Sequence, residues 1–171
     1  SMITVTLGGL AAGYFAGGSL SKRERWNYPL FWGAITLGGT LLILIPFFVS
    51  PVVLATESIG LRFGPLVSAF VLFFPFFFLE GLLAPLALHI RARERHTGMT
   101  AGTLYGISTI GSLIGALTAG FFLIPVFALS SIFRAIGIIL FIVGLVGLLP
   151  SKANRRLMSR WFIIFFFFVA G

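Results

Sequence analysis

The chain has 171 residues, of which 58% are hydrophobic and only 9% are charged. A soluble fold of this size does not have enough interior to hide that much apolar surface, so the composition excludes a soluble domain. The net charge is +8, but the basic residues lie in short segments between apolar runs. They therefore indicate membrane orientation rather than binding to nucleic acid. We expect a polytopic all-α membrane protein whose main partner is the lipid bilayer.

The same composition leaves little material for catalysis. Cysteine and aspartate are absent, and the four acidic residues are all glutamates. His89 and His96 flank one basic segment, but two imidazoles without further ligands make a poor metal site. We therefore predict no catalytic residue, no metal site and no cofactor in this chain.

The first predicted membrane helix runs from about Ile3 to Leu20. Within it, Gly9, Gly13 and Gly17 recur at every fourth position, so the three glycines share one side of the helix. A repeated G-x-x-x-G pattern of this kind is typical of helices that approach a neighbour to backbone contact. We therefore predict that these glycines are helix-packing residues.

The next two predicted helices run from about Pro29 to Val49 and from about Pro65 to Ile90, and both have prolines within them or at their ends. Proline lacks the N–H that a helix interior needs, and its ring crowds the preceding turn. Pro46 and Pro51 are therefore expected to mark the end of the first of these helices. Residues 50–64 then form a connection that contains a short interfacial helix.

Glu80 is the only acidic residue deep in an apolar run, and it lies between Pro75 and Pro85. Because an interior proline frees a backbone carbonyl, we expect the helix that carries Glu80 to be broken near its middle. A carboxylate in the hydrocarbon is costly, so such a residue usually faces the bundle interior and is either functional or partnered. Both roles stay open. The expected members of this intramembrane polar site are Glu80, Arg134, Tyr105, Ser108, Thr109 and Ser112.

Residues 102–125 form the helix around which we expect the bundle to be organised. This stretch carries no charge, and small residues spaced by four, three and four positions fall on one side of it. They are Ser108, Ser112, Gly115 and Ala119. We predict a packing helix at the centre of the bundle, with close contacts at Gly111, Gly115 and Gly120. A substrate-facing role for its hydroxyl groups is the alternative.

The last predicted full span runs from about Ser131 to Leu149, and its Gly137 and Gly144 again share one side. Residues 161–171 are apolar but too few to cross a bilayer. The expected fold is therefore a transmembrane helical bundle with five full spans and a truncated sixth.

Charge predicts the orientation of this bundle. Segments 21–28, 91–98 and 151–160 hold ten of the twelve Lys and Arg residues, and they alternate with connections that hold almost none. Basic loops stay on the cytoplasmic side of a membrane, so we expect all three segments there. The first helix then begins outside, which normally requires an earlier helix. We therefore expect residues 1–171 to be a single transmembrane domain excerpted from a longer chain.

Three stretches resemble motifs of a known family. Residues 7–23, L-G-G-L-A-A-G-Y-F-A-G-G-S-L-S-K-R, are similar to G-L-A-L-G-x-x-L-G-G-R-L-A-D-R, and residues 81–86, G-L-L-A-P-L, are similar to M-G-A-T-L-P-L. Residues 102–125 resemble the run G-x-x-Y-x-x-N-T-x-G-x-x-x-G-x-x-x-x-G-F-x-L-x-P. They match it at Gly102, Tyr105, Thr109, Gly111, Gly115, Gly120, Phe121, Leu123 and Pro125. By these motifs the chain resembles the membrane domain of fused major-facilitator/spermidine synthase proteins.

The resemblance implies a bundle like half of a major facilitator unit, in a bacterial or archaeal cytoplasmic (inner) membrane. It also implies a soluble aminopropyltransferase-like domain after Gly171, so any spermidine synthase activity belongs to that domain and the enzyme status of this chain stays undecided. The chain departs from the family motifs where Ser108 replaces Asn, where Glu80 replaces Met, and at Ser21 and Lys22 in place of Asp. These departures affect any polar network implied by the resemblance.

Three functions stay open from the sequence. The first is the membrane domain of a spermidine-synthase-like protein, which anchors the protein and guides polyamine substrate or product. The second is a half-transporter of major facilitator type that moves a small solute, completed by a second copy of itself or by missing helices of the same protein. The third is a structural membrane subunit.

Overall fold

The computed structural model describes residues 2–22, 26–60, 63–92 and 97–149, and the regular secondary structure within these ranges is entirely helical. The elements in chain order are α1 (Met2–Leu20), α2 (Asn27–Glu57), α3 (Gly64–Ala92), α4 (Thr97–Thr118), a π-helical turn (Ala119–Leu123), α5 (Ile124–Val126) and α6 (Leu129–Leu148). The basic segment 151–160 and the expected truncated span 161–171 lie outside the described residues.

Five of the helical segments are long and apolar enough to cross a membrane, which confirms the five full spans expected from the sequence. A helix suits such segments because it satisfies the backbone N–H and C=O groups internally where no water is available. Large apolar side chains such as Ile3, Phe15 and Phe121 are strongly exposed on the outer surface of the bundle. This exposure fits contact with lipid, and the chain is an integral membrane protein.

α2 is longer than the sequence predicts. It continues through Pro51 to Glu57, so the expected end before residue 50 and the separate interfacial helix within residues 50–64 are wrong. The reason lies at the far end of the helix, where the Thr56 hydroxyl is hydrogen-bonded to the Ser68 hydroxyl of α3 and both side chains are buried. Packing against α3 keeps the chain helical beyond a proline that removes only a single backbone donor.

α3 is continuous from Gly64 to Ala92, with both of its prolines inside the helix. The expected break near the middle is therefore wrong. α3 is held by α1 along one side and by α2 along another. The ring of Pro85 takes part in the first of these contacts, because a Cβ built on Gly17 of α1 would lie 3.2 Å from its Cγ. Tertiary packing on two sides thus outweighs the local effect of proline.

The centre of the bundle is the antiparallel pair α2 and α3. α1 packs against α3, and α6 packs against α2. The buried core lies where α2, α3 and α6 meet, and its largest fully buried side chains are Phe31 and Leu86. The other buried members of this cluster are Trp32, Ile35, Leu42, Ile45, Leu82, Ala87 and Leu140.

Glycine contacts give the directions of the helices. Gly9 and Gly17 of α1 face Phe77 and Leu82 of α3 in the same order along both chains, so α1 and α3 run parallel. On the other side of the bundle, Gly137 faces Ile43 of α2 while the later α6 glycines face earlier residues of α2, so α2 and α6 run antiparallel. The C-terminal ends of α1, α3 and α6 therefore lie at the same end of the bundle.

α4 does not lie at the centre of the bundle, which corrects the prediction that the helix over residues 102–125 organises the fold. Among the described spans it is the least buried, and it makes only a small contact with α3. Ser108, Gly115 and Ala119 are half-buried along one side, whereas Ser112 is exposed. The physical reason is that the closest backbone contacts of the described residues form between α1 and α3 and between α2 and α6, where glycines face the neighbouring helix.

Candidate functional site at Glu80

Glu80 lies at the point where α1 crosses α3. A Cβ built on Gly13 would lie 2.7 Å from the Cα of Gly81, and a Cβ built on Gly81 would lie 2.9 Å from the Cα of Gly13. Side chains do not approach backbone atoms this closely, so both positions need glycine. Because Tyr14 follows Gly13 and Glu80 precedes Gly81, this crossing brings the two polar residues to the same level of the bundle.

Tyr14 connects the Glu80 carboxyl to a second tyrosine on α4. The Tyr14 hydroxyl of α1 lies within electrostatic range of the Glu80 carboxyl, and it is also within electrostatic range of the Tyr105 hydroxyl of α4. Glu80 itself is half-buried, and both tyrosines are exposed. Three different helices thus contribute one polar side chain each to a site in the membrane-spanning part of the chain.

The remaining hydroxyl groups expected around Glu80 all lie on α4. Thr109 uses its hydroxyl on its own helix, where Oγ1 donates to the carbonyl of Tyr105 at 2.8 Å. Ser108 is half-buried, and Ser112 is exposed. Among these hydroxyl groups, that of Tyr105 lies within electrostatic range of Tyr14 on α1.

Arg134 lies elsewhere, which corrects its expected role as the partner of Glu80. It lies on α6, and α6 packs against α2. Glu80 lies where α3 packs against α1. Its Nε donates to the carbonyl of Ser130 at 3.1 Å, and its guanidinium carbon lies 6.0 Å from the centroid of the Phe47 ring. Arg134 therefore makes a local hydrogen bond and a cation–π contact. It lies at the opposite end of the bundle from the basic connections.

Tyr14 is the member of the site that sequence reasoning missed. The glycines of the first helix were singled out, and the tyrosine beside them was not considered. The available signal was its position directly after Gly13. A residue next to a close helix crossing must face the groove beside the partner helix, so a polar residue there is a candidate for contact with it.

The six glycines expected at helix contacts differ in their surroundings. Gly9, Gly13 and Gly17 of α1 all lie against α3. On the α4 side, Gly111 is buried and Gly115 is half-buried. Gly120 is exposed, and a Cβ there would meet no described atom within 4 Å, so it does not mark a close helix contact in the described part of the chain.

A carboxyl group with a neighbouring phenol can hold a cation. An ammonium group is attracted by the carboxylate and by the faces of aromatic rings, and both attractions strengthen where water is scarce. The described ranges contain no group of three or more His, Cys, Asp or Glu side chains that could hold a metal ion. A single carboxyl group beside an aromatic ring suits an organic ammonium group, whereas a metal ion takes several ligand atoms.

Comparison with known proteins adds no relative, since no family model matches the chain and neither a curated protein nor a solved structure matches it.

Proposed function

We propose that the chain is the membrane domain of a spermidine-synthase-like protein. In this proposal the helical bundle anchors the protein in a bacterial or archaeal cytoplasmic membrane, and Glu80 guides a cationic amine to or from a soluble enzyme domain. A polyamine is the amine that the family resemblance implies. The aminopropyl transfer itself would take place in the soluble domain.

The observation that carries this proposal is the position of the Glu80 carboxyl within a spanning helix, beside Tyr14 and away from Arg134. An acidic residue within a spanning helix costs about 2.5 to 3.5 kcal/mol on insertion scales, so a bundle keeps one where it is hydrated, paired or used. Glu80 lies beside Tyr14, whereas Arg134, the basic residue expected beside it, lies on α6 and bonds Ser130. A cationic ligand would supply the missing positive charge.

Two substitutions in the full-length protein test the role of Glu80. Glu80→Gln keeps the size and the hydrogen bonding of the side chain but removes its charge, whereas Glu80→Leu removes both. With the protein reconstituted in liposomes, we expect Glu80→Gln to weaken binding of radiolabelled butane-1,4-diammonium at least about tenfold, the loss of a hydrogen bond to a charged group. The matched control is Glu57→Gln, because Glu57 is exposed at the far end of α2.

The outcomes separate the alternatives. If Glu80→Gln binds the diamine normally and only Glu80→Leu lowers the stability, Glu80 is structural and the chain is a membrane anchor or a structural subunit. If both variants bind the diamine and keep their stability, Glu80 has no role and the amine proposal fails.

A half-transporter of major facilitator type is the second candidate, and the low burial of α4 favours it. A helix with so little contact in the described bundle offers a surface on which further helices, from a second copy or from the same protein, can pack. A homo-oligomer in detergent, held together through α4 cross-links, would support this candidate over the anchor.

The orientation belongs to the same proposal. The C-terminal ends of α1 and α3 lie at the end of the bundle where segments 21–28 and 91–98 begin, and the charge of these segments favours the cytoplasmic side. In this cysteine-free chain, single cysteines at Ser21 and Thr97 should resist impermeant thiol reagents in intact cells, whereas a cysteine at Ser58 should react. Equal labelling of all three positions from outside contradicts this orientation.

A further inference from the structure

The Glu80 site lies in a groove on the outer surface of the bundle. α1 and α4 each pack against α3, while their contact with each other is marginal in the described ranges. They lie on the same side of α3 as Glu80, because Tyr14 of α1 interacts with both Glu80 and Tyr105 of α4. α3 therefore forms the floor of the groove, and α1 and α4 form its two walls.

The groove opens sideways. Tyr14 is 48% exposed, although its hydroxyl lies within electrostatic range of the half-buried Glu80 carboxyl, and Tyr105 is 67% exposed. Phe15, next to Tyr14 on α1, is 85% exposed, and Ile110, further along α4 than Tyr105, is 51% exposed. In a membrane-spanning segment such apolar side chains face lipid, so the polar interior of the groove meets the bilayer directly.

The depth of the site suits an ammonium group that is attached to an apolar chain. Tyr14 lies six residues before the end of α1, which is about 9 Å along the helix axis. This end of α1 is followed by the basic segment 21–28, where the interface is expected. Glu80 therefore lies below the headgroup level but within reach of an amine whose hydrocarbon chain stays among the lipids.

We propose that this groove binds the ammonium group of a membrane-dissolved amphiphile, which enters sideways from the bilayer between α1 and α4. Glu80 supplies the counter-charge, and Tyr14 and Tyr105 offer ring faces and hydroxyl groups to the bound cation. The inference rests on the proposed amine function of Glu80 and specifies the class of ligand and the route by which it arrives.

Photolabelling of the full-length protein in lipid nanodiscs tests the route. The probe is a dodecylammonium ion with a diazirine next to its amine, and the control is the dodecanol with the same diazirine. We expect the ammonium probe to label peptides of α1 and α4 around Tyr14 and Tyr105, and the alcohol to label them far less. Unlabelled dodecylammonium should compete for this labelling more strongly than butane-1,4-diammonium at equal concentration.

Variants connect the labelling to the carboxyl group. Glu80→Gln should lower labelling by the ammonium probe at least about tenfold, and Glu57→Gln should leave it unchanged. Tyr14→Phe, which keeps the ring and removes only the hydroxyl, should lower it by a smaller factor. Circular dichroism of each variant shows whether the helical bundle is retained.

The results distinguish this inference from the function on which it rests. Equal labelling by the alcohol and the ammonium probe, or labelling that survives in Glu80→Gln, overturns the sideways amphiphile site. If the diamine still binds in a Glu80-dependent way in liposomes, the amine function stands and the ligand is water-soluble. If neither amine depends on Glu80, both proposals fail.

Discussion

α1 and α4 both pack against α3, and both carry small residues at the spacing that favours close helix contact, yet the two contacts differ. At the α1 contact, glycine faces glycine, with Gly13 against Gly81 and backbone atoms on both sides. At the α4 contact, Ser108 and Gly115 are only half-buried. The difference teaches that the spacing of small residues alone does not decide which helix pair reaches backbone contact.

The contrast also explains why the polar site forms at the α1 crossing. A close crossing aligns neighbouring residues of two helices at a fixed level, and Tyr14 and Glu80 are those neighbours. α4 contributes Tyr105 from a helix that makes only a small contact with α3. One wall of the groove is therefore placed by close glycine contacts, and the other lies on the least buried of the described spans.

The largest expected effect is at the tight contact. Gly13→Leu places a side chain where the backbone of α3 lies, so we expect a loss of about 3 kcal/mol in the free energy of unfolding, the upper range for overpacking. Thermal or denaturant unfolding in detergent micelles measures this loss. The matched control is Gly8→Leu, because a Cβ at Gly8 would meet nothing within 4 Å. Similar losses for the two variants would contradict the α1 contact.

An intermediate effect is expected where α2 meets the start of α3. Ser68→Ala removes the hydroxyl that bonds Thr56, whose Oγ1 keeps its bond to the carbonyl of Val52 at 2.9 Å. The Ser68 Oγ bond to the carbonyl of Gly64, at 2.9 Å, is lost as well, so we expect a decrease of about 2 kcal/mol in the free energy of unfolding. Ser50→Ala, at an exposed position of α2, is the control. No difference between these two alanine variants would argue against the Thr56 contact.

The smallest effect is expected at the loose contact. Gly115 is half-buried on α4, so Gly115→Leu should change the free energy of unfolding by only about 0.5 kcal/mol, as is usual for surface substitutions. The same unfolding experiment compares it with Gly13→Leu and with Leu113→Ala on the exposed side of α4. A loss at Gly115 as large as that at Gly13 would mean that another helix covers this stripe in the membrane.

Much of the fold could be predicted from the sequence because lipid imposes simple rules. Apolar runs of sufficient length must be helical, which gave the ends of α1 and α6 to within two residues. The glycines at every fourth position of α1 could be recognised as a contact surface for the same reason. Prolines were less reliable as signals for the end or break of a helix. Pro51 and Pro75 both lie inside continuous helices that are packed against their neighbours.

The site was only partly predictable. Glu80 was recognisable because a carboxyl group in an apolar run is costly whatever its neighbours are. Its neighbours depend on which helices meet at that level, and this is decided by facing pairs such as Gly13 and Gly81 that lie far apart in the sequence. For that reason Tyr14 was missed and Arg134 was wrongly expected beside Glu80.

The central claim is that Tyr14 and Glu80 form one site, and a double-mutant cycle tests it most directly. The free energy of unfolding is measured for Tyr14→Phe, for Glu80→Gln and for the double variant in detergent, with Tyr28→Phe in place of Tyr14→Phe as the control cycle. We predict a coupling energy of at least about 0.5 kcal/mol for Tyr14 with Glu80, which is the lower range for residues in contact, and additive effects for Tyr28 with Glu80. Additive effects in both cycles would contradict the account.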